Sequence, residues 1–133
     1  YCAGYYPVTK HGSSFLKNLI SEDSVLIAGA MTESQGGSDA FNMKTRAAQS
    51  GNSFIINGVK TYCTNACEAR FIVVYGITDK DKGLFGGITA FLIDRNVHDV
   101  TINPIEEPIG LQHTGWGEII LQDCAVDEQY VLG

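Results

Sequence analysis

The chain has 133 residues, 44% hydrophobic and 18% charged, which is the size and balance of one folded domain and excludes intrinsic disorder. Fifteen acidic against nine basic residues leave a formal charge of −6, which makes nucleic acid a poor partner, since binding its backbone needs a basic face. The longest apolar runs, Val25–Met31 and Phe71–Ile77, fall far short of the ~20 residues of a membrane-spanning helix.

No pattern of a secretory signal is read at the start. The chain opens on Tyr1 and is read as a piece of a larger protein. Ser13–Asp23 is the one segment with a helical pattern. Phe15, Leu16, Leu19 and Ile20 share a face there, and Ser13 or Ser14 is placed to cap the start. Val25–Met31 follows as an unbroken apolar run, the pattern of a strand buried on both faces.

Beyond Met43, strands alternate with tight turns: Lys44–Ser50, Gly51-Asn52, Ser53–Ile56, Asn57-Gly58 and Val59–Thr64. Asn-Gly between β-type runs predicts a two-residue hairpin at Asn57-Gly58, since both residue types tolerate the positive φ of a type I′ turn. Further strands are predicted over Phe71–Ile77, Ile88–Ile93, Val100–Ile105 and Glu118–Val126. The charged, glycine-rich stretch Thr78–Gly87 predicts an exposed loop. Pro104 and Pro108 bracket Glu106-Glu107 in a second, rigid one. Seven or eight short strands after one short helix, with no helices between them, give a mainly β fold. An antiparallel β-barrel or orthogonal sandwich is the inference.

Two segments carry chemistry. Met31-Thr-Glu-Ser-Gln-Gly-Gly-Ser-Asp39 leaves the buried apolar strand with glycines and hydroxyls that expose backbone N–H groups to a ligand. Lys60-Thr-Tyr-Cys-Thr-Asn65 alternates so that Tyr62 and Thr64 share one face, Thr61 and Cys63 the other. A ring beside a hydroxyl suits a planar heterocycle. Cys2, Cys63, Cys67 and Cys124 are too sparse for a disulfide scaffold and lack the paired spacing of a structural zinc. They read as small buried side chains, reduced thiols of an intracellular compartment. His11, His98 and His113 show no triad or ligand spacing and read as packing or surface residues.

Taken together, T-E-S-x-G-G-S-D and, about twenty residues later, I-I-N-G-x-K-x-Y-x-T-N resemble the acyl-CoA dehydrogenase middle domain. The resemblance runs on through Ile88-Thr-Ala-Phe-Leu-Ile93, Pro108-Ile-Gly-Leu111, Gly117–Val126 and Val131-Leu-Gly133. It implies residues 1–23 as the tail of a helical N-terminal domain and 24–133 as a β-barrel middle domain forming one wall of an FAD site. Gly29, Ala30, Met31, Thr32, Gly37 and Ser38 would meet the flavin through backbone and hydroxyls. Tyr62, Cys63 and Thr64 would pack on the ring and bond its reactive edge, and Ser38 would also approach the acyl-CoA substrate. Ser34, Gly36 and Tyr62 depart from the family's usual Pro, Ala and Trp, and Gln112 and Trp116 from its frequent Arg and Thr.

In the family the proton-abstracting base is a carboxylate on a helical C-terminal domain. No residue here corresponds to it, so the expectation is a chain without turnover of its own. The implied partners are flanking helical domains, an electron-transfer flavoprotein and further copies in a homo-oligomer. The implied compartment is the cytoplasm in a bacterium or the mitochondrial matrix in a eukaryote. An acyl-CoA oxidase, nitroalkane oxidase or flavin monooxygenase of the same superfamily shares this wall, and a non-catalytic β-barrel binding module is the reading from another class.

Overall fold

Two short helices, α1 (Cys2–His11) and α2 (Ser14–Ser21), lead into the strands. The computed structural model describes residues 2–21, 25–83, 85–106, 109–111 and 113–133, apart from the side chains of residues 2, 3 and 41. The last residues of the predicted helix, Glu22 and Asp23, and also Glu107, Pro108 and Gln112, therefore lie outside the described residues.

Helix α2 has the expected form. The Ser13 hydroxyl accepts the Leu16 N–H at 3.3 Å, Leu16 and Ile20 are buried, and Phe15 sets its ring edge-on to Tyr130. Helix α1 precedes it and was not expected, because Pro7 sits inside it and no apolar period marks it. Tertiary packing supplies what propensity lacks. Val8 is fully buried, and Gly4 lies so close to β1 that a Cβ would stand 2.5 Å from the Ile27 carbonyl oxygen. Among the described residues no helix is long and apolar enough to cross a membrane.

Eight strands follow: β1 (Ile27–Ala30), β2 (Arg46–Ser50), β3 (Ser53–Cys63), β4 (Phe71–Ile77), β5 (Ile88–Asp94), β6 (Thr101–Pro104), β7 (Gly117–Asp127) and β8 (Val131–Leu132). The mainly β expectation holds. All eight belong to one sheet in the order β6-β7-β3-β2-β4-β5-β8, with β1 also beside β4. Among the described residues this order is an open path from β6 to β8. Most pairs are antiparallel, but β1 runs parallel to β4, and β2 meets β4 through the single parallel pair Arg46–Ile77. Strand β4 thus has neighbours on both edges, and Phe71, Ile72, Val73 and Val74 are all fully buried, as an unbroken apolar run demands.

The hairpin predicted at Asn57-Gly58 is not there. Strand β3 runs straight through both residues, and the turn is at Gly51-Asn52, where Ser50 faces Ser53 and Gly51 takes φ +62°. Asn57 serves a different purpose. Its side-chain carbonyl accepts the Asp123 N–H at 2.8 Å and its amide donates to the Asp123 carboxylate at 3.0 Å. Opposite Asn57, strand β7 carries the two residues Gln122 and Asp123, a bulge with Asp123 at φ +48°. Gly58 answers to space: a Cβ there would lie 2.3 Å from the Thr45 Oγ1. In the 78–87 loop, Lys80, Asp81, Lys82, Phe85 and Gly86 are exposed as expected, and Asp79 pins the turn: its carboxylate accepts the Asp81 N–H and pairs with Lys82. His98 has the packing role read from the sequence. It is buried beside the Tyr130 ring, and its Nδ1 accepts the Asp94 N–H at 2.9 Å.

Candidate functional site

The two chemistry-bearing segments meet where β1 and β3 end. The Cys63 thiol donates to the Gly29 carbonyl at 3.3 Å, the Lys60 Nζ to the Met31 carbonyl at 3.2 Å, and the Thr61 N–H to the Thr32 carbonyl at 2.9 Å. These contacts lay residues 29–32 along residues 60–63.

A second bulge shapes the edge. Lys60 pairs with Ile119 and Cys63 with Gly117, so Thr61 and Tyr62 together face the single residue Glu118. Tyr62 takes φ +53°, a conformation that a bulky side chain rarely adopts and that marks stored strain. Tyr62 and Thr64 still share the exposed face expected of them and Cys63 the opposite one, but across the bulge the inward positions stand three residues apart. Lys60 and Cys63 both point into the core, while Tyr62 stands 60% exposed with its ring edge-on to Trp116. Trp116 is held in turn by its Nε1, which donates to the Thr114 hydroxyl. Beyond Thr64 the chain closes a turn from Asn65 to Ala69, and Arg95 Nη1 donates to the carbonyls of Ala66, Cys67 and Ala69.

An open groove of about 240 Å³ lies here, lined by Gly4, Ile27, Ala28, Gly29, Tyr62, Thr64 and Asn65. Of the residues singled out in the sequence, Gly29, Tyr62 and Thr64 line it. Ala30 and Cys63 turn their side chains into the core, which leaves them only backbone atoms to offer. Burial, with Cys67 nearby, pushes the Cys63 thiol up to about 12, so it stays protonated as a donor to Gly29. Met31, Gly37 and Ser38 are exposed and do not line the groove. Gly37 abuts Thr32, where a Cβ would come within 3.3 Å of the Thr32 Oγ1. Among the described residues the N–H groups of Thr32, Gly37 and Ser38 have no backbone partner.

The pair that joins the two segments was missed in the sequence. Glu33 and Lys60 are 3% and 0% exposed and form an ion pair at 2.8 Å. The Glu33 carboxylate also accepts the Lys44 and Thr45 N–H groups, the Thr45 hydroxyl at 2.6 Å and the Gln35 amide. Glu33 and Gly36 exchange two backbone hydrogen bonds, closing a tight turn. Burial alone would push the Glu33 carboxyl up. The bonds from Lys60, Thr45 and Lys44 outweigh it and bring the carboxyl from 4.5 down to about 2. Burial pulls the Lys60 ammonium below its ordinary range, against the attraction of Glu33.

A pH dependence follows. With the carboxyl at about 2 when folded and 4.5 when unfolded, this contribution is complete above pH 4.5 and is lost as pH falls towards 2. The loss expected is on the order of 3 kcal/mol. Urea unfolding of wild type and Glu33→Gln across that window checks it, because the variant's stability should fall less steeply with acid. Equal slopes would contradict the assignment.

Residues 28–124 match the family described as acyl-CoA dehydrogenase, middle domain. The chain belongs to that family. It is 33% identical to cyclohex-1-ene-1-carbonyl-CoA dehydrogenase of Geobacter metallireducens, over 98% of the chain and 35% of that relative. Among solved structures it resembles the FAD complex of PigA, with a TM-score of 0.92 and 32% identity over 99% of the chain and 35% of PigA. It also resembles glutaryl-coenzyme A dehydrogenase in its glutaryl-CoA complex, with a TM-score of 0.88 and 29% identity over 96% of the chain and 33% of that enzyme. The chain thus spans about a third of the length of each of these proteins. The middle-domain match contains both Glu33 and Lys60 and the whole β1–β3 junction. Among the described residues no group of three His, Cys, Asp or Glu is placed to hold a metal ion.

Proposed function

We propose that this middle domain is the FAD- and acyl-CoA-facing wall of a flavin-dependent dehydrogenase that forms the α,β double bond of acyl-CoA thioesters. The observation that carries the reading is the junction itself. Within a family defined by acyl-CoA dehydrogenases, Gly29, Tyr62 and Thr64 converge on one groove. The lining fits a flavin: a half-open slot with an exposed ring at its rim, the Thr64 hydroxyl, small glycine and alanine positions, and no charged residue among the described residues that line it. When bound, FAD supplies hydride acceptance.

The chain's own residues supply the surroundings. Tyr62, fixed by its bulge and by Trp116, offers a flat apolar face. The Thr64 hydroxyl and the backbone of Gly29, Ala30, Met31, Thr32 and Cys63 offer bonds to the flavin edge. Gly37 and Ser38 stand further out for the phosphates, and Ser38 for the CoA portion. The proton-abstracting carboxylate belongs to a C-terminal helical domain, so the isolated chain is inactive. Residues 1–23 belong to an N-terminal helical domain and 24–133 to the middle domain. The whole protein works as a homo-oligomer and passes electrons to an electron-transfer flavoprotein, in the bacterial cytoplasm or the mitochondrial matrix.

The test is the full-length protein that carries this chain. It should purify yellow or turn yellow with FAD, and a panel of acyl-CoA thioesters should bleach it without oxygen. A protein that stays colourless with added FAD ends the proposal. Thr64→Ala in that protein should slow flavin reduction about tenfold or more, since an unpaired buried partner costs about 1–3 kcal/mol. Rapid-mixing traces check this, and an unchanged rate with unchanged flavin affinity would remove Thr64 from the site.

A further inference from the structure

Lys60 holds two things at once. Its Nζ donates to the Met31 carbonyl at 3.2 Å and to Glu33 Oε1 at 2.8 Å, and Glu33 is itself tied to Lys44 and Thr45. A trans peptide is planar, with its C=O and the following N–H pointing in opposite directions. Drawing the Met31 C=O inward to a fully buried ammonium therefore turns the Thr32 N–H outward. The next carbonyl, that of Thr32, is spent on the Thr61 N–H at 2.9 Å, which fixes the segment on its other side. The Thr32 N–H takes no partner among the described residues, whereas the Glu33 and Thr61 N–H groups nearby are both bonded.

Resting on the flavin reading above, we infer that Lys60 is a positioning residue: locked to Glu33, it aims the Thr32 N–H at a hydrogen-bond acceptor on the edge of the bound flavin. Lys60 touches no ligand. It acts by orienting one peptide plane, and an ion pair suits that task because a desolvated ammonium tolerates little wandering from its acceptors. The acceptor it serves is a ring carbonyl or unprotonated ring nitrogen, the only edge groups of a flavin that take an N–H.

Amide hydrogen exchange in the full-length protein tests this on the wild-type chain, without relying on any variant to fold. The Thr32 amide should exchange fast in the apo-protein and at least about tenfold more slowly with saturating FAD. The Thr61 amide, already bonded, should be slow in both. Unchanged Thr32 exchange on FAD saturation overturns the inference. A second arm uses Lys60→Met combined with Glu33→Gln, which removes both charges together. The folded double variant should bind FAD about tenfold more weakly and show a shifted visible flavin spectrum. Wild-type affinity and spectrum in that variant also overturn it. A wild-type protein that binds no FAD at all fails the flavin reading and takes the inference with it, whereas the first two results fail the inference alone.

Discussion

Replacing Lys60 alone with methionine is expected to lower stability by about 3–5 kcal/mol, the usual cost of orphaning one partner of a buried ion pair. The geometry puts this site at the severe end. Glu33 is 3% exposed, so water cannot replace the lost ammonium, and the Met31 carbonyl loses its donor at the same time. Against a typical total of about 5–15 kcal/mol, such a loss brings the domain close to its unfolding threshold. The combined Lys60→Met and Glu33→Gln variant should recover part of it, because a neutral amide is far cheaper to bury than a lone carboxylate. Urea denaturation separates the outcomes: the midpoint should drop sharply for the single variant and less for the double, with little change in slope. A single variant losing under about 1 kcal/mol would mean that Glu33 is solvated in the folded state, contrary to its burial.

That ion pair also shows where sequence reading stops. The strand set was legible because its signals are local: Phe71–Ile77 is apolar throughout, and the structure returns that strand with the same bounds. Glu33 and Lys60 were read as parts of two motifs, 27 residues apart, and nothing local says that both are buried. One clue was available. Counting by twos along β3 from buried Ile56 through Gly58 places Lys60 on the inward face, where a charge must find a partner. The Asn57-Gly58 error has a different origin. Asn-Gly is a turn signal only when the chain reverses, and here Asp123 on the neighbouring strand takes the Asn57 amide while Thr45 occupies the space above Gly58. The positive φ at Tyr62 was equally hidden, since a bulge depends on the register of two strands and that register is a tertiary property. Helix α1 escaped for want of an apolar stripe, its Pro7 outweighing any local signal until Val8 and Gly4 are seen against β1 and the core.

The isolated 133-residue chain is expected to fold yet to bind FAD at least about a thousandfold more weakly than the full-length protein. The folding half rests on a core that spans β1, β4, β5 and β7 and also takes in Val8, Leu16 and Ile20 of the helices, all within this chain. The binding half rests on enclosure. Tight small-molecule sites bury about 70–90% of their ligand in clefts of roughly 300–1,000 Å³. The groove here holds about 240 Å³ and is open, while Met31, Gly37 and Ser38 stand on exposed backbone beyond it. A dinucleotide laid on such a surface leaves most of its area in water. Every ~1.4 kcal/mol forgone is a factor of ten, so a deficit of about 4 kcal/mol gives the thousandfold difference. Tyr62 offsets little of this, because a single ring face against a flavin contributes on the order of 1 kcal/mol beyond area. Calorimetry of the isolated chain with FAD, beside the full-length protein under the same conditions, measures the difference directly. An isolated chain that binds FAD at about 1 μM or better would mean that the β1–β3 junction carries most of the flavin's binding energy by itself, and the picture of a single wall completed by other domains would have to be abandoned.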